Sequence, residues 1–348
     1  MDSIHTVSEG CMSDSDSARV SVIVVNYNSG VYLQRCLACL AAQSILPDKI
    51  LVVDNGSSDG SASAAERMAK QDSHLAPRIS FDMVGENLGF AAANNRAVAT
   101  CESELVALLN PDAFPEPGWL AALLAAAHAH PDAAAFGSRQ MLDGTPDLLD
   151  GVGDVYHISG LSWRAGHGCP LTPADALDRE IFSPCAAAAL YRRGALNEVG
   201  GFDEDFFCYL EDVDLGFRLR LAGYQCRYVS GAVVWHVVGG SVSTNADFAA
   251  YYGQRNLVLC FFKNMPALLF LGFLPAHLSQ TIVTSAIYAT RGQFHTLLKA
   301  KWHALTALPH CWQKRRKVQS QRRVSTAAVW RMLDKSLRRR RCWRRSPS

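Results

Sequence analysis

Short apolar runs alternate with helix-patterned segments through the first hundred residues, and three of the runs end on Asn or Asp. Val20-Ser21-Val22-Ile23-Val24-Val25 leads into Asn26-Tyr27-Asn28-Ser29-Gly30. Residues 32–43 follow, with Leu33, Leu37 and Leu40 on one helical stripe. Lys49-Ile50-Leu51-Val52-Val53-Asp54 closes on Asn55-Gly56-Ser57-Ser58-Asp59-Gly60. The pattern predicts helices over 61–70 and 89–99 and strands over 79–84 and 105–109, the last ending on Asn110-Pro111-Asp112. Near-continuous apolar strands are those buried on both faces, as in a parallel sheet with right-handed crossovers. Ligands of such a sheet bind at the carboxyl ends of the strands. Asn28, Asp54 and Asp112 all fall there, so one crevice shared by the three is expected.

Beyond residue 141 the pattern weakens into Gly-, Asp- and Pro-rich loops up to 184. Residues 181–192 then read as one strand, with the small residues Ala186 to Ala189 lining a tight space. A short helix is expected over 194–198, a second over 212–222, and two short strands over 227–229 and 232–236. The densest chemistry is Glu211-Asp212-Val213-Asp214, close behind Gly201-Phe202-Asp203-Glu204-Asp205-Phe206-Phe207-Cys208-Tyr209-Leu210. Carboxylates set among aromatics suit a partly buried acidic site in which one is tuned as a base. The plainer reading is a helix N-terminus decorated with favourable acids. Asn87-Leu88-Gly89-Phe90 opens a helix with small residues, and a helix N-terminus favours phosphate. Asp112 suits Mg²⁺ or Mn²⁺, which take oxygen ligands and bridge to phosphates. The alternative for Asp112 is a turn bent by Pro111. A lone histidine such as His236 is ordinarily a packed core residue.

Several classes are excluded or disfavoured. No GxGxxG follows the first strand and the chain has no GxxxxGK[ST], against nicotinamide dehydrogenases and P-loop enzymes. Eleven scattered cysteines fit a reducing compartment, and the single C-x-x-C, Cys36-Leu37-Ala38-Cys39, sits in a helix-like apolar stretch and reads as core. Residues 1–17 have no basic or apolar leader pattern, so no secretory signal is expected. Residues 299–348 carry 16 Lys/Arg against one acid, Asp334, which leaves the preceding chain net acidic. A basic C-terminal stretch suits an anionic surface; with no paired recognition motif, nucleic acid is disfavoured. Residues 257–290 are apolar but interrupted by Lys263, Pro266, Pro275, His277 and Gln280. They are expected to form an interfacial or re-entrant element rather than a clean span, the alternative being a buried helical pair.

In this order the segments resemble glycosyltransferase family 2, over residues 20 to about 256. Five separated motifs carry the resemblance: Val24-Val25-Asn26-Tyr27-Asn28, Val52-Val53-Asp54-Asn55-Gly56-Ser57-Ser58-Asp59, Asn87-Leu88-Gly89-Phe90, Asn110-Pro111-Asp112, and Gly200-Gly201-Phe202-Asp203-Glu204 through Glu211-Asp212-Val213-Asp214-Leu215. His236-Val237-Val238-Gly239-Gly240-Ser241 and Tyr251-Tyr252-Gly253-Gln254-Arg255-Asn256 are similar to the bacterial rhamnosyltransferase-like branch.

The resemblance implies an α/β GT-A fold, with a single Rossmann-like, mostly parallel sheet flanked by helices and with apolar and basic helices at the C-terminus. It divides the chain into a disordered tail (1–18), the GT-A domain (19–256), apolar membrane-proximal helices (257–310) and a basic tail (311–348). It implies an inverting, metal-dependent transfer of a sugar, rhamnose first, from a nucleotide-diphosphate donor to a hydroxyl of a cell-envelope glycan or lipid-linked acceptor. Asn28 and Asp54 would contact the nucleoside, and Asn87, Gly89 and Asn94 would line the nucleotide-sugar pocket. The family's DxD is reduced here to Asn110-Pro111-Asp112, so Asp112 alone carries over as a ligand of Mg²⁺ or Mn²⁺, joined by His236. Asp212 would be the base, with Glu211 shaping the acceptor site. The implied location is cytoplasmic, peripheral on the inner face of an anionic membrane. Two other functions were open to such a chain. A nucleotidyltransferase would need a Gly-rich, Lys/Arg-bearing first loop, absent from 26–30, and a non-catalytic glycan binder would not need Asp112, Asp212 and His236 together.

Overall fold

The computed structural model describes residues 18–237 and 246–336. The tail expected over 1–18 lies almost wholly outside them, as do residues 238–241 of the His236 motif and everything from 337 on. The predicted alternation is present: β1 (Val20–Asn26), α1 (Tyr32–Ala41), β2 (Lys49–Asp54), α2 (Ser61–Gln71), β3 (Ile79–Met83), α3 (Gly89–Thr100) and β4 (Leu105–Leu109). These four strands pair in parallel in the order β4-β1-β2-β3. Successive side chains of a strand point to opposite faces. Val22 and Val24 of β1 therefore join Leu33 and Leu37 of α1 in one core layer, while Ile23 joins Ala91, Ala93 and Ala97 of α3 in the other. Burial on both faces is why β1, β2 and β4 read as unbroken apolar runs.

The chain continues through β5 (Ala113–Pro115), α4 (Trp119–Ala129), β6 (Ala133–Leu142), β7 (Leu149–Gly151), β8 (Asp154–Tyr156), β9 (Ser162–Arg164), β10 (Arg179–Ile181), β11 (Ala188–Arg192), α5 (Arg193–Val199), α6 (Glu211–Leu221) and β12 (Gln225–His236). β11 enters antiparallel to β4 and β6, and β12 runs parallel to β6, giving the full order β10-β12-β6-β11-β4-β1-β2-β3. The sheet is thus parallel in its N-terminal half and mixed beyond β4.

Three expectations are corrected. Residues 141–184 are not only loop: β7 pairs with the end of β6, and β8 and β9 form a hairpin. The strand expected over 181–192 divides into β10 and β11, because Pro184 has no amide to donate and the backbone leaves the ladder over 182–187. The two late strands are one, β12, whose register slips between Val229 and Val233. A bulge there interrupts the pattern without ending the strand.

α7 (Ala246–Asn264) runs unbroken through residue 256 and buries Leu259, Cys260 and Phe261 in one cluster with Phe206, Val213 and Phe217. α8 (Ala267–Thr290), α9 (Phe294–Ser320) and α10 (Thr326–Met332) follow. The proline break falls at Pro266, whereas Pro275 lies inside α8 without ending it. An exposed helix can leave the carbonyl freed by a missing amide to solvent. α8 is, among the described residues, one helix long and apolar enough to cross a membrane by length and composition. It exposes Leu268, Leu271, Leu278, Ile282 and Val283. Its one buried residue, His277, stacks on Phe261 at 4.3 Å and meets the Ser159 carbonyl at 2.8 Å.

Candidate active site

Strand order reverses between β4 and β1, and the sequence-predicted site residues sit at the carboxyl ends of these strands and their neighbours. Asn26, the last residue of β1, is fully buried and donates to Asp54 at 2.7 Å, to Ser57 at 3.1 Å and to Ser61 at 3.0 Å. The Asp54 carboxylate also accepts the Ser57 amide at 3.1 Å. Asp54 therefore builds the loop after β2. Asn28 stands exposed on the neighbouring loop with φ 49°, and its side-chain oxygen takes the Ser58 amide at 2.8 Å. The two residues expected to meet a nucleoside are thus joined through one serine-rich turn.

The start of α3 differs from expectation. The amides of Phe90 and Ala91 donate to the Phe207 carbonyl at 2.7 and 3.2 Å, and the Gly89 amide to Asn87 at 2.9 Å. The helix N-terminus is closed by protein and is not an open phosphate site. Gly89 (φ +84°) is required by contact as well as by conformation: a Cβ there would lie 2.5 Å from the Phe207 ring. Asn87 is exposed and also accepts from Asn55 at 2.9 Å. Asn94 is buried and bonded back to Phe90 of its own helix at 2.9 Å.

Asp112 and His236 stand side by side. Both are buried, and Asp112 Oδ1 stands 3.4 Å from His236 Nε2, at the edge of hydrogen-bonding range. β5 pairs with the end of β12, which brings the two together. The other face of the ring shows a residue the sequence reading missed. His236 Nδ1 lies 2.9 Å from Asp150 Oδ2, and Asp150, on β7, also binds Arg164 and meets His167 Nδ1 at 3.0 Å. Burial alone would lower the His236 pKa, but Asp112 and Asp150 outweigh it and push it up to about 9. Burial works to raise Asp150, yet Arg164, His167 and His236 hold its carboxyl well below the usual carboxylate range.

The acidic segment reaches the same place through the small-residue loop after β10. Asp212 Oδ2 accepts the Ala186 amide at 3.1 Å, and the Ser183 hydroxyl donates to the Asp212 carbonyl at 2.8 Å. One residue on, the Ala187 carbonyl takes the Asn110 amide at 2.8 Å; one residue back, Cys185 Sγ receives Arg164 at 2.8 Å. Residues 185–187 therefore tie Asp212 to the Asp112 strand end and, through Arg164 and Asp150, to His236. Glu211 is buried, and that burial, followed by the charge of Asp212, pushes its carboxyl well above the usual range. Asp154 is raised by the same two causes.

Among the described residues no three His, Cys, Asp or Glu side chains converge on one metal position. Asp112 and His236 supply two buried, facing donor atoms. That number fits a cation which keeps waters and shares its remaining positions with a substrate diphosphate. A ligated His236 must give up the proton the two carboxylates favour.

The carboxyl edge of a Rossmann-like half-sheet thus carries the Asp112–His236 carboxylate–imidazole pair and, through residues 185–187, the Asp212 carboxylate. The Glycosyl transferase family 2 model matches residues 21–200, the Glycosyl transferase family group 2 model matches residues 155–308, and the chain belongs to glycosyltransferase family 2. It is 34% identical over 245 residues to the N-acetylglucosaminyl-diphospho-decaprenol L-rhamnosyltransferase of Mycobacterium tuberculosis, a match covering 62% of this chain and 75% of that one. It is 26% identical over 238 residues to the O-antigen chain rhamnosyltransferase RfbN of Salmonella typhimurium, covering 67% and 70%. Among solved structures it shares its fold with the mannosyltransferase PcManGT of Pyrobaculum calidifontis, in complex with GDP-Man and Mn²⁺ (TM-score 0.53, 20% identity, 91% of this chain and 88% of that one). GalNAc-T7 with UDP, GalNAc and Mn²⁺ is also similar (TM-score 0.58, 15% identity, 72% and 48%). The protein is a rhamnosyltransferase-like glycosyltransferase with a GT-A fold.

Proposed function

We propose that the enzyme transfers L-rhamnose, with inversion, from dTDP-rhamnose to a hydroxyl of a polyprenyl-diphosphate-linked amino sugar used in cell-envelope synthesis. The observation that carries the chemistry is Asp212, held by the Ala186 amide within one hydrogen-bonded frame with Asp112 and His236. Similarity to the mycobacterial rhamnosyltransferase supports the sugar and the acceptor class.

In this reading Asp212 takes the proton of the acceptor hydroxyl, whose oxygen attacks the anomeric carbon on the face opposite the nucleoside diphosphate. A single base suffices, because no covalent sugar–enzyme intermediate is formed. Mn²⁺ or Mg²⁺ held by Asp112 and His236 would neutralise charge on the departing diphosphate. The turn around Asn28 and Asp54 faces the nucleoside, and Asn87, Gly89 and Asn94 frame the neighbouring wall. Glu211, whose carboxyl burial pushes well above the usual range, shapes the acceptor side. The exposed face of α8 rests on the inner leaflet, which suits a lipid-linked acceptor; His277, docked on the catalytic domain, favours a helix lying along the membrane over one crossing it.

The test is a donor panel (dTDP-rhamnose and the UDP-linked hexoses) assayed against a short-chain prenyl diphospho-N-acetylglucosamine, with and without Mn²⁺. The expected product carries rhamnose with inverted anomeric configuration by NMR. Transfer from a UDP-hexose alone would overturn the sugar, and a retained configuration would overturn the single-base mechanism.

A further inference from the structure

Asn256 lies on α7, outside every segment given a chemical role above, and is completely buried. Its Nδ2 stands 2.9 Å from each of three carbonyls, those of Phe206, Cys208 and Tyr209. An amide turned the other way would set its oxygen against three carbonyl oxygens, so the loop fixes the orientation of the side chain. Arg255, the preceding residue, donates to the Asp205 carbonyl at 2.5 Å. One turn of α7 thus grips four carbonyls of one loop.

That loop is where backbone strain in the described residues concentrates. Four non-glycine residues have positive φ, and three of them are Phe207 (62°), Tyr209 (65°) and Leu210 (66°). L-residues persist in such conformations only where their surroundings over-determine them. The loop has two outputs. Its Phe207 carbonyl closes the N-terminus of α3 beside Asn87 and Gly89, and Leu210 leads directly into Glu211 and Asp212. A relaxed loop would move both the donor wall and the base.

We propose that Asn256 is a positioning residue: it holds residues 206–210 in their strained conformation and thereby sets Asp212 against the donor pocket. The same helix braces the base helix further along, where Asn264 donates to Asp214 at 2.7 Å. The proposal rests on Asp212 being the base.

The test uses the full chain and three variants. Asn256→Asp keeps the volume but turns an acceptor toward the carbonyls, and Asn256→Ala removes the group. Val329→Ala truncates a residue of the same core cluster on α10, away from the Asn256 hydrogen bonds, and serves as the stability control. Rhamnose transfer to the short-chain prenyl acceptor is measured together with dTDP affinity and amide hydrogen exchange. Both Asn256 variants should lose about 10²-fold in kcat, as expected when a reacting group is displaced by roughly 1 Å. Affinity for dTDP should fall far less than kcat, since the loop braces the base and the α3 wall, whereas the turn proposed to face the nucleoside is built by Asn26, Asp54 and Ser57. Exchange should rise at the amides of Phe90, Ala91 and Asp214, whose acceptors lie in the loop, and not in β1, β2 or β4. The proposal is overturned if folded Asn256→Asp retains wild-type kcat, if loop exchange is unchanged, or if Val329→Ala loses as much kcat at an equal fall in Tm. A wild-type chain that transfers no rhamnose would sink the donor and acceptor assignment instead, and the exchange pattern would still decide whether Asn256 holds the loop.

Discussion

Asp150→Asn separates the proposed metal pair, Asp112 and His236, from its support. In the wild type, Asp150 Oδ2 is shared by Arg164 and His236 Nδ1, and Oδ1 faces His167. The asparagine can keep its oxygen at the Oδ2 position and point its amide at His167, so the geometry survives while the charge is lost. The charge matters twice. Removing one partner of a fully buried ion pair costs about 3–5 kcal/mol. Arg164 retains some exposure, 28% of its side chain, so about 2 kcal/mol is the better figure after solvent screening. For a chain of this size, with an unfolding entropy of about 0.7 kcal/mol/K, that lowers Tm by about 3 °C. Loss of a carboxylate that orients a ligating histidine weakens metal binding by about 10–100-fold. The assay is Mn²⁺ titration followed by electron paramagnetic resonance, with dTDP present, alongside thermal melting. A variant that melts lower yet binds Mn²⁺ normally would make Asp150 a fold residue only. One unchanged in both respects would refute the reasoning altogether.

Asp212→Asn should cut transfer by about 10²–10⁴-fold with dTDP binding intact by calorimetry; near-normal turnover would remove Asp212 as the base. Glu211→Gln should keep most activity and melt higher near neutral pH. Burial raises the Glu211 pKa in the folded state, so its ionised form loses stability as pH climbs above the unfolded value; a collapse of activity matching Asp212→Asn would refute this. Asp203 shows the opposite sign. Burial opposes its ionisation, but Lys263 and Lys314 hold its carboxyl well below the usual range. Its contribution is therefore present at neutral pH and lost as pH falls below about 4, and Asp203→Asn should flatten that part of the acid melting curve; an unchanged curve counts against the pairing. Leu271→Glu combined with Ile282→Glu should lower sedimentation with anionic vesicles by at least about 10-fold; unchanged binding would place the contact elsewhere.

What the sequence made legible follows from locality. β2 and β4 are found to the residue, and β1 to within one, because burial on both faces makes the composition continuous. β6 was missed because Ala133-Ala134-Ala135-Phe136-Gly137 carries no β-branched residue, although every one of these residues is buried. Asp150 left no trace at all. It is a single acid between Leu149 and Gly151, and its partner His236 lies 86 positions away. Asp112, Asp212 and His236 could be named only because motif order carried them. The geometry that relates them runs through residues 185–187, whose small side chains suggested a tight space but not a connection.

The acidic segment shows the limit most clearly. Read along the chain, Asp203, Asp205, Glu211, Asp212 and Asp214 form one cluster. On a helix, residues two apart point about 200° from each other. Asp212 accordingly turns to the Ala186 amide at 3.1 Å, while Asp214 turns inward to Arg218 at 2.9 Å and Lys263 at 2.8 Å. Asp203 binds Lys263 and Lys314, and Asp205 meets Lys314 at 2.6 Å. One of these partners, Lys314, belongs to the basic stretch that the sequence assigned to a membrane surface. Arg315, bonded to the Phe262 carbonyl, and Arg323, 2.8 Å from Glu198, are engaged in the same way. Of the 16 basic residues after position 298, at least three are therefore committed to protein partners. Each remaining charge is worth about 1 kcal/mol at an anionic surface and is screened by salt. The apolar face of α8 is not screened. Membrane attachment carried mainly by α8 would weaken only gradually as salt rises, whereas attachment carried by the full basic stretch would collapse within the first few hundred millimolar.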